Sequence, residues 1–387
     1  GADGRTLAVE SRMNPQAQYG ADVIMRANYA LEHGTEALSM CVRKAVNEML
    51  GSLAEDAGIR REDVFQVCVV GNTCMHHLFL GISPASLVHA PYTPAVSERL
   101  VLNAGDYGLA VQERAELIML SDIAGYVGAD TCGCLLAIRQ DQQEEISLMI
   151  DIGTNGEMVL GNRERMVTCS TAAGPAFEGA KIECGMRGAA GAVDHVKYED
   201  GKWNYTTVGN KPAVGLCGSG LIDLVAGLLD AGMLDENGVL RSGQEKQGVF
   251  ILVPPERGGN ERGVYLTQKD LGEVQLAKAA IAAGIQMLME RIGITEDDIC
   301  SVYIAGAFGN YMDPVSAGKI GLLPAMLVKK VKPVGNAAGE GAKIALVNEK
   351  EMLEMDELVR KIEFVELAAS ADFQDHFIDE LGFETGE

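Results

Sequence analysis

Asp151 closes an apolar run in "ISLMIDIGTNGEMVLG", residues 146–161. An aspartate there is costly unless it meets a cation or hydrogen-bond donors. The residues that follow are Gly153, Thr154, Asn155, Gly156 and Glu157. The two glycines let main chain approach a phosphate closely, and Thr154, Asn155 and their amides can donate to phosphate oxygens. Asp151 is placed to hold Mg²⁺ through water, the habit of an ion that dehydrates reluctantly. The plain alternative is an ordinary hairpin, because Asn-Gly is a strong turn signal.

Two further loops have similar chemistry. "GLCGSG" at 215–220 opens a helix, so the amides of Gly218, Ser219 and Gly220 can face an anion. Tight packing with Ser219 as a helix cap is the competing reading. "AGAFGN" at 305–310 follows an apolar strand. The small residues Gly306, Ala307 and Gly309, with Phe308, would let a flat nucleoside lie on the main chain. A bare strand-to-helix turn would use the same residues.

These loops need elements to aim them. The run 146–161 reads as a β-hairpin. The segment 215–234 reads as a glycine turn opening a helix, with Leu221, Ile222, Val225, Leu228 and Leu229 on one face. A long helix is expected over 267–293, with Thr267 and Asp270 spaced as a capping box. Residues 299–310 read as a strand running into a loop, and 334–347 as a loop into a helix. Upstream, 36–50 is a helix with Thr35 as N-cap and a stripe of Leu38, Cys41, Val42, Ala45, Val46, Met49 and Leu50. Residues 64–73 form a strand ending in a Gly-Asn loop, 83–95 an irregular proline-rich connection, and 123–138 a glycine-broken stretch ending helical. The polar stretch 139–145 marks a boundary, giving a first lobe at 1–143 and a second at 144–387. The order is an α/β plan with ligand loops at strand ends.

Bulk properties narrow the function. A chain of 387 residues exceeds one compact core. A net charge of −23 repels phosphate backbones and anionic lipid, so neither nucleic acid nor membrane is an expected partner. No run of about 18 apolar residues occurs; 276–289 is interrupted by Lys278 and Gln286 and reads as a buried amphipathic helix. No signal-peptide pattern opens the chain, and a cytoplasmic location is expected. Most of the nine cysteines sit in apolar runs, with no CxxC pair, the nearest two being Cys132 and Cys134. That is reduced usage without the spacing of an iron–sulfur cluster. Adjacent His76 and His77 point apart on a helix and would not share a metal. Asp130 and Glu178 sit in glycine-rich segments, where they either line a ligand site or serve as caps. Trp203 is expected to be partly buried, and the acidic amphipathic tail 363–381 to dock on its own domain.

The Asp-Ile-Gly-Thr hairpin, the Gly-Ser-Gly turn and the strand-Ala-Gly loop, in that order, resemble the nucleotide motifs of the actin, sugar-kinase and heat-shock ATPase superfamily. "NPQAQYGADVIMRA" (14–27), "GNTCMHHLFLGISP" (71–84), "IAGYVGADT" (123–131), "AAGPAFEGAKIECGMRGAAGA" (172–192) and "QLAKAAIAAGI" (275–285) are similar to the reductive activators of corrinoid proteins. The resemblance implies a two-lobed, ribonuclease-H-like α/β fold, mixed sheets flanked by helices, with ATP in the cleft. Asp151 would be the catalytic and Mg²⁺-holding carboxylate. It implies ATP-driven reduction of a corrinoid partner from Co(II) to Co(I), with electrons from a [2Fe–2S] domain that this chain lacks, and a homodimer. It also implies an earlier Asp-Ile-Gly-Thr-Thr hairpin that would lie upstream of Gly1, leaving ATP binding by this chain alone an open question. The rival functions are a sugar or carboxylate kinase of the same superfamily and a non-catalytic docking module for a corrinoid protein.

Overall fold

Helical and strand periodicities resolve into two compact units. One comprises Gly1–Gln143, Arg163–Met166 and Asn336–Phe364; the other comprises Glu144–Asn162, Val167–Gly335 and Val365–Glu387. The computed structural model describes residues 1, 3–241, 248–368 and 370–384. The chain returns to the first unit at Asn336 and adds the helices Ala337–Val347 and Glu349–Val359. That unit therefore joins segments far apart in sequence.

In the first unit, strand Glu116–Met119 lies between Gln66–Val69, parallel to it, and Leu100–Asn103, antiparallel. Helix Glu36–Ala57 runs past the expected end at residue 50, because buried Ala54 continues its inward face; Gly58 in the left-handed region ends it. Thr35 does not cap it by side chain: its hydroxyl donates to the Gly81 carbonyl at 2.9 Å. A tertiary acceptor has taken the group that a local cap would use. Helix Thr73–Leu80 starts under the Asn72 side chain, which accepts the Cys74 N–H at 3.0 Å. It buries both histidines with separate partners: His76 Nδ1 lies 3.1 Å from Asp122 Oδ2, and His77 Nε2 accepts the Ala95 N–H at 2.9 Å.

The second unit is built on strands in the order Val331–Gly335, Ile299–Ala305, Ile146–Ile152, Gly156–Gly161 and Met166–Thr171. The first three are parallel, and the fourth is antiparallel to the third. The hairpin Ala192–Glu199 with Lys202–Thr207 places Trp203 against Tyr198 and Phe250, partly buried as expected. Helix Gln268–Ile292 crosses the sheet so closely that a Cβ on Gly284 would fall 2.3 Å from Met158 Cε. Its capping box is present: Asp270 N–H donates to Thr267 Oγ1 at 3.2 Å, and Thr267 N–H donates to Asp270 Oδ2 at 2.9 Å. Asp270 Oδ1 also accepts the Glu183 N–H at 2.9 Å. Asp270→Ala therefore removes a fully buried acceptor from two main-chain donors. Its expected cost is about 2–3 kcal/mol, read in urea melts of the full chain; a loss below roughly 0.5 kcal/mol would contradict this account.

The tail docks on its own unit. Helix Ala371–Asp379 packs on Gln268–Ile292, with Gln275 Nε2 donating to the Leu381 carbonyl at 2.9 Å. Lys278, the cation that interrupts the apolar stretch, is buried; its ammonium donates to the Gly382 carbonyl and lies 5.4 Å from the Phe383 ring centre.

Candidate functional site

Register sets the site. Asp151 stands opposite Ala305 on the parallel neighbour strand and opposite Glu157 on the antiparallel one. Gly306 follows Ala305 with φ +85°, a conformation that disfavours any side chain, and a Cβ there would lie 3.1 Å from Asp151 Oδ1. The first and third sequence motifs thus meet at one point. The Asp151 carboxylate is partly buried, and among the described residues no hydrogen bond or ion pair reaches it. Burial, with no countering cation, pushes its pKa above the usual carboxylate range.

The turn after Asp151 is a three-residue loop, Gly153 N–H donating to the Asn155 carbonyl at 2.9 Å. Gly174 N–H holds the Thr154 carbonyl at 2.8 Å. The Thr154 hydroxyl donates to Glu178 Oε1 at 2.7 Å. The N–H groups of Thr154 and Asn155 have no acceptor among the described residues. Gly156 is buried, and a Cβ there would come within 2.9 Å of Thr171 Oγ1 and 3.2 Å of Ile281.

Helix Gly218–Asp230 begins after Cys217 without a side-chain cap. Ser219 is not that cap; its buried hydroxyl donates to the Asp194 carbonyl at 2.8 Å. Gly218 and Gly220 serve close packing, since a Cβ would fall 2.0 Å from the Phe177 carbonyl oxygen in one case and 2.2 Å from that of Val193 in the other. A Cβ on Gly218 would also meet the Phe308 ring at 2.7 Å, and that ring stacks on Phe177 with centroids 5.7 Å apart. The second and third motifs therefore touch through Phe308. Residues Gly306–Gly309 form one helical turn; the side chain of Ala307 lies outside what the structure describes.

Glu178 is brought to the turn by its bond to Thr154. The sequence could mark it only as a carboxylate in a glycine-rich stretch. Asp130 belongs to the other unit, in the first turn of helix Ala129–Ile138, where Oδ1 accepts the Thr131 N–H at 2.9 Å. An open groove of about 920 Å³ lies in the first unit beside Met40, Arg43 and Tyr107, and none of its lining residues belongs to the Asp151 turn. The arrangement at Asp151 suits a hydrated cation, which needs few protein ligands, and a phosphate on the turn's free amides.

Two family models cover the chain: the RACo middle region matches residues 2–143, and the C-terminal domain of RACo, the ASKHA domain, matches residues 145–387. The chain belongs to the RACo family. Its fold is the actin-like ASKHA one, mixed sheets flanked by helices. It is 35% identical, over 97% of its length and 66% of the relative's, to the corrinoid activation enzyme RamQ of Eubacterium limosum. It is 27% identical, over 95% of its length and 71% of the relative's, to the [Co(II) methylated amine-specific corrinoid protein] reductase of Methanosarcina barkeri. A solved structure, the reductive activator for corrinoid, iron–sulfur protein, superposes with a TM-score of 0.89 at 37% identity, covering 98% of this chain and 63% of that one. The chain thus spans about two thirds of the length of these three proteins. Among the described residues no helix is long and apolar enough to cross a membrane.

Proposed function

We propose that this chain is the ATP-binding and partner-docking part of a corrinoid reductive activator, one that takes a partner's cobalt from Co(II) to Co(I). The observation that carries the reading is the unpartnered Asp151 carboxylate set 3.1 Å from where a Gly306 side chain would start. In this reading Asp151 orders the water shell of Mg²⁺. Thr154 and Asn155 offer main-chain N–H groups to phosphate oxygens, with Gly153 and Gly156 keeping the turn close. The amides at Gly218, Ser219 and Gly220 face the same anion, and the nucleoside lies along Gly306, Ala307, Phe308 and Gly309. ATP, when bound, supplies the free energy for a reduction that is uphill for ordinary cellular donors.

The corrinoid substrate is what the relatives' names support. The electrons for the cobalt are proposed to come from a [2Fe–2S] cluster. Coupling requires nucleotide and corrinoid partner to favour the same conformation of the chain. The proposed active form is a homodimer.

The test is a melting series with Mg·ATP, run on this chain and on a version carrying the family's preceding Asp-Ile-Gly-Thr-Thr hairpin. At a hundredfold excess over Kd, about 2.7 kcal/mol of stabilisation is expected. A longer version that melts unchanged with Mg·ATP would end the ATPase assignment. Binding without optical formation of Co(I) on a corrinoid partner, given a reductant, would end the activator assignment and leave the kinase reading.

A further inference from the structure

The open groove of about 920 Å³ in the first unit runs along helix Glu36–Ala57. That helix turns Leu38, Ser39, Ala45 and Ala54 inward. Ala37, Met40, Lys44 and Glu48, spaced by three or four residues, form a stripe on its other side that lines the groove. The charge of the groove is opposite to that of a chain carrying −23. Arg43, Lys44 and Arg61 line it, and among the described residues no carboxylate pairs with any of them. Of its two carboxylates, Glu48 pairs with Arg12, which leaves Asp106 alone against the three cations.

Arg43 is held in place by the protein itself. Its Nε donates to the Phe79 carbonyl at 2.7 Å, and its Cζ lies 5.0 Å from the Tyr107 ring centre and 5.7 Å from that of Phe79. Its terminal nitrogens have no acceptor among the described residues. Burial lowers its pKa, opposed only by Tyr107. Asn47 secures the turn that carries Tyr107: Nδ2 donates to the Gly108 carbonyl and Oδ1 accepts the Ala110 N–H, both at 2.7 Å. Arg61 lies over Gly51 of the same helix, where a Cβ would collide with its guanidinium.

Spacing and charge identify the occupant. From Lys44 to Gly51, under Arg61, the helix rises about 10 Å. A single phosphate or carboxylate does not bridge that distance, whereas same-side side chains of an extended peptide recur about every 7 Å. The stretch 37–48 rises about 16 Å, the length of about five extended residues. Met40, 57% exposed, adds an apolar spot beside the cations. Nucleic acid would set the acidic remainder of the chain against a phosphate backbone. We propose that this groove docks an extended acidic segment of a partner protein, its carboxylates on Arg43, Lys44 and Arg61 and an apolar side chain on Met40. Arg43, with its fork already oriented, gives one carboxylate a charge-assisted seat and so sets the register. The groove shares no residue with the Asp151 turn, so it docks its partner whether or not that turn binds nucleotide.

The experiment measures fluorescence anisotropy on the whole chain with three labelled probes: the peptide Glu-Asp-Leu-Glu-Asp, its amide counterpart Gln-Asn-Leu-Gln-Asn, and an oligothymidylate. The acidic peptide should bind at least about tenfold more tightly than the amide peptide, as expected for three ion pairs in a partly dry groove. Added salt should shrink that difference. Phosphate should displace the acidic peptide no better than chloride at equal ionic strength. Lys44→Glu combined with Arg61→Glu should abolish the preference while melting with the wild type. Should the double variant misfold, Lys44→Glu alone, at an exposed position, is expected to weaken the acidic peptide severalfold. Equal binding of the two peptides, no binding of either, tighter binding of the oligothymidylate, displacement by phosphate ahead of chloride, or unchanged affinity in a folded variant would overturn the proposal. A wild-type dimer that ignores both peptides and that Lys44→Glu breaks apart would overturn it too, and would assign the groove to a second copy of this chain.

Discussion

Asp151→Asn is expected to melt at a higher temperature than the wild type and to lose its response to Mg·ATP. Both effects come from the same group. Burial disfavours the ionised Asp151 carboxylate in the folded chain, and no protein cation offsets it. Its folded pKa therefore lies above its unfolded one, and the folded state holds the proton over a range where the unfolded state has released it. In that range stability falls as pH rises. Below the unfolded pKa the aspartate is protonated in both states and the destabilisation vanishes; above the folded pKa it is complete. Asparagine keeps the shape and never ionises. The melting-temperature gap between variant and wild type should thus be widest at neutral pH and close in acid. The nucleotide effect runs the other way, because the carboxylate that destabilises the empty site is the one proposed to order the Mg²⁺ water shell. Loss of a ligand of this kind typically weakens binding by about 10–100-fold. A full Mg·ATP melting shift in Asp151→Asn would remove Asp151 from the site, whatever happened to the apo stability.

That pairing shows which features the sequence could express. The hairpin around Asp151 was legible because two apolar runs flanking Gly-Thr-Asn-Gly are a local signal, and helix Gln268–Ile292 because its period and its Thr267–Asp270 box are local too. The family motifs lie in the right order along the chain, and register then brings Gly306 against Asp151. What escaped was set by partners distant in sequence. Thr35 has the right type for an N-cap, yet Gly81 takes its hydroxyl. Ser219 looked like a cap and instead serves the Asp194 carbonyl. Glu178 is unremarkable in sequence until Thr154 bonds to it across the turn. The return of Asn336–Phe364 to the first unit leaves no composition shift to read. Such choices are made by tertiary packing, which propensity and spacing do not encode.

Gly341→Val is expected to cause the largest loss of stability, and it tests that return directly. Helix Ala337–Val347 approaches helix Ala129–Ile138 so closely that a Cβ on Gly341 would lie 1.9 Å from the Gly133 carbonyl oxygen. The reciprocal Cβ on Gly133 would lie 2.6 Å from the Ala338 carbonyl oxygen. Main-chain atoms cannot rotate aside as a flexible side chain can, so relief requires the two helices to separate. Separation would uncover Cys132 and Leu136 on one helix and Ala337 and Ala345 on the other, all now buried. Overpacking alone typically destabilises by about 1–3 kcal/mol, and this contact belongs at or above the upper end. Lys343→Ala, on the exposed face of the same helix, should stay within about 0.5 kcal/mol of wild type. Limited proteolysis should then cut the Gly341→Val chain first between 336 and 364, while the second unit survives longer. The opposite order of cleavage, or a Gly341→Val protein that melts with the wild type, would mean that this crossing does not hold the returning segment in place.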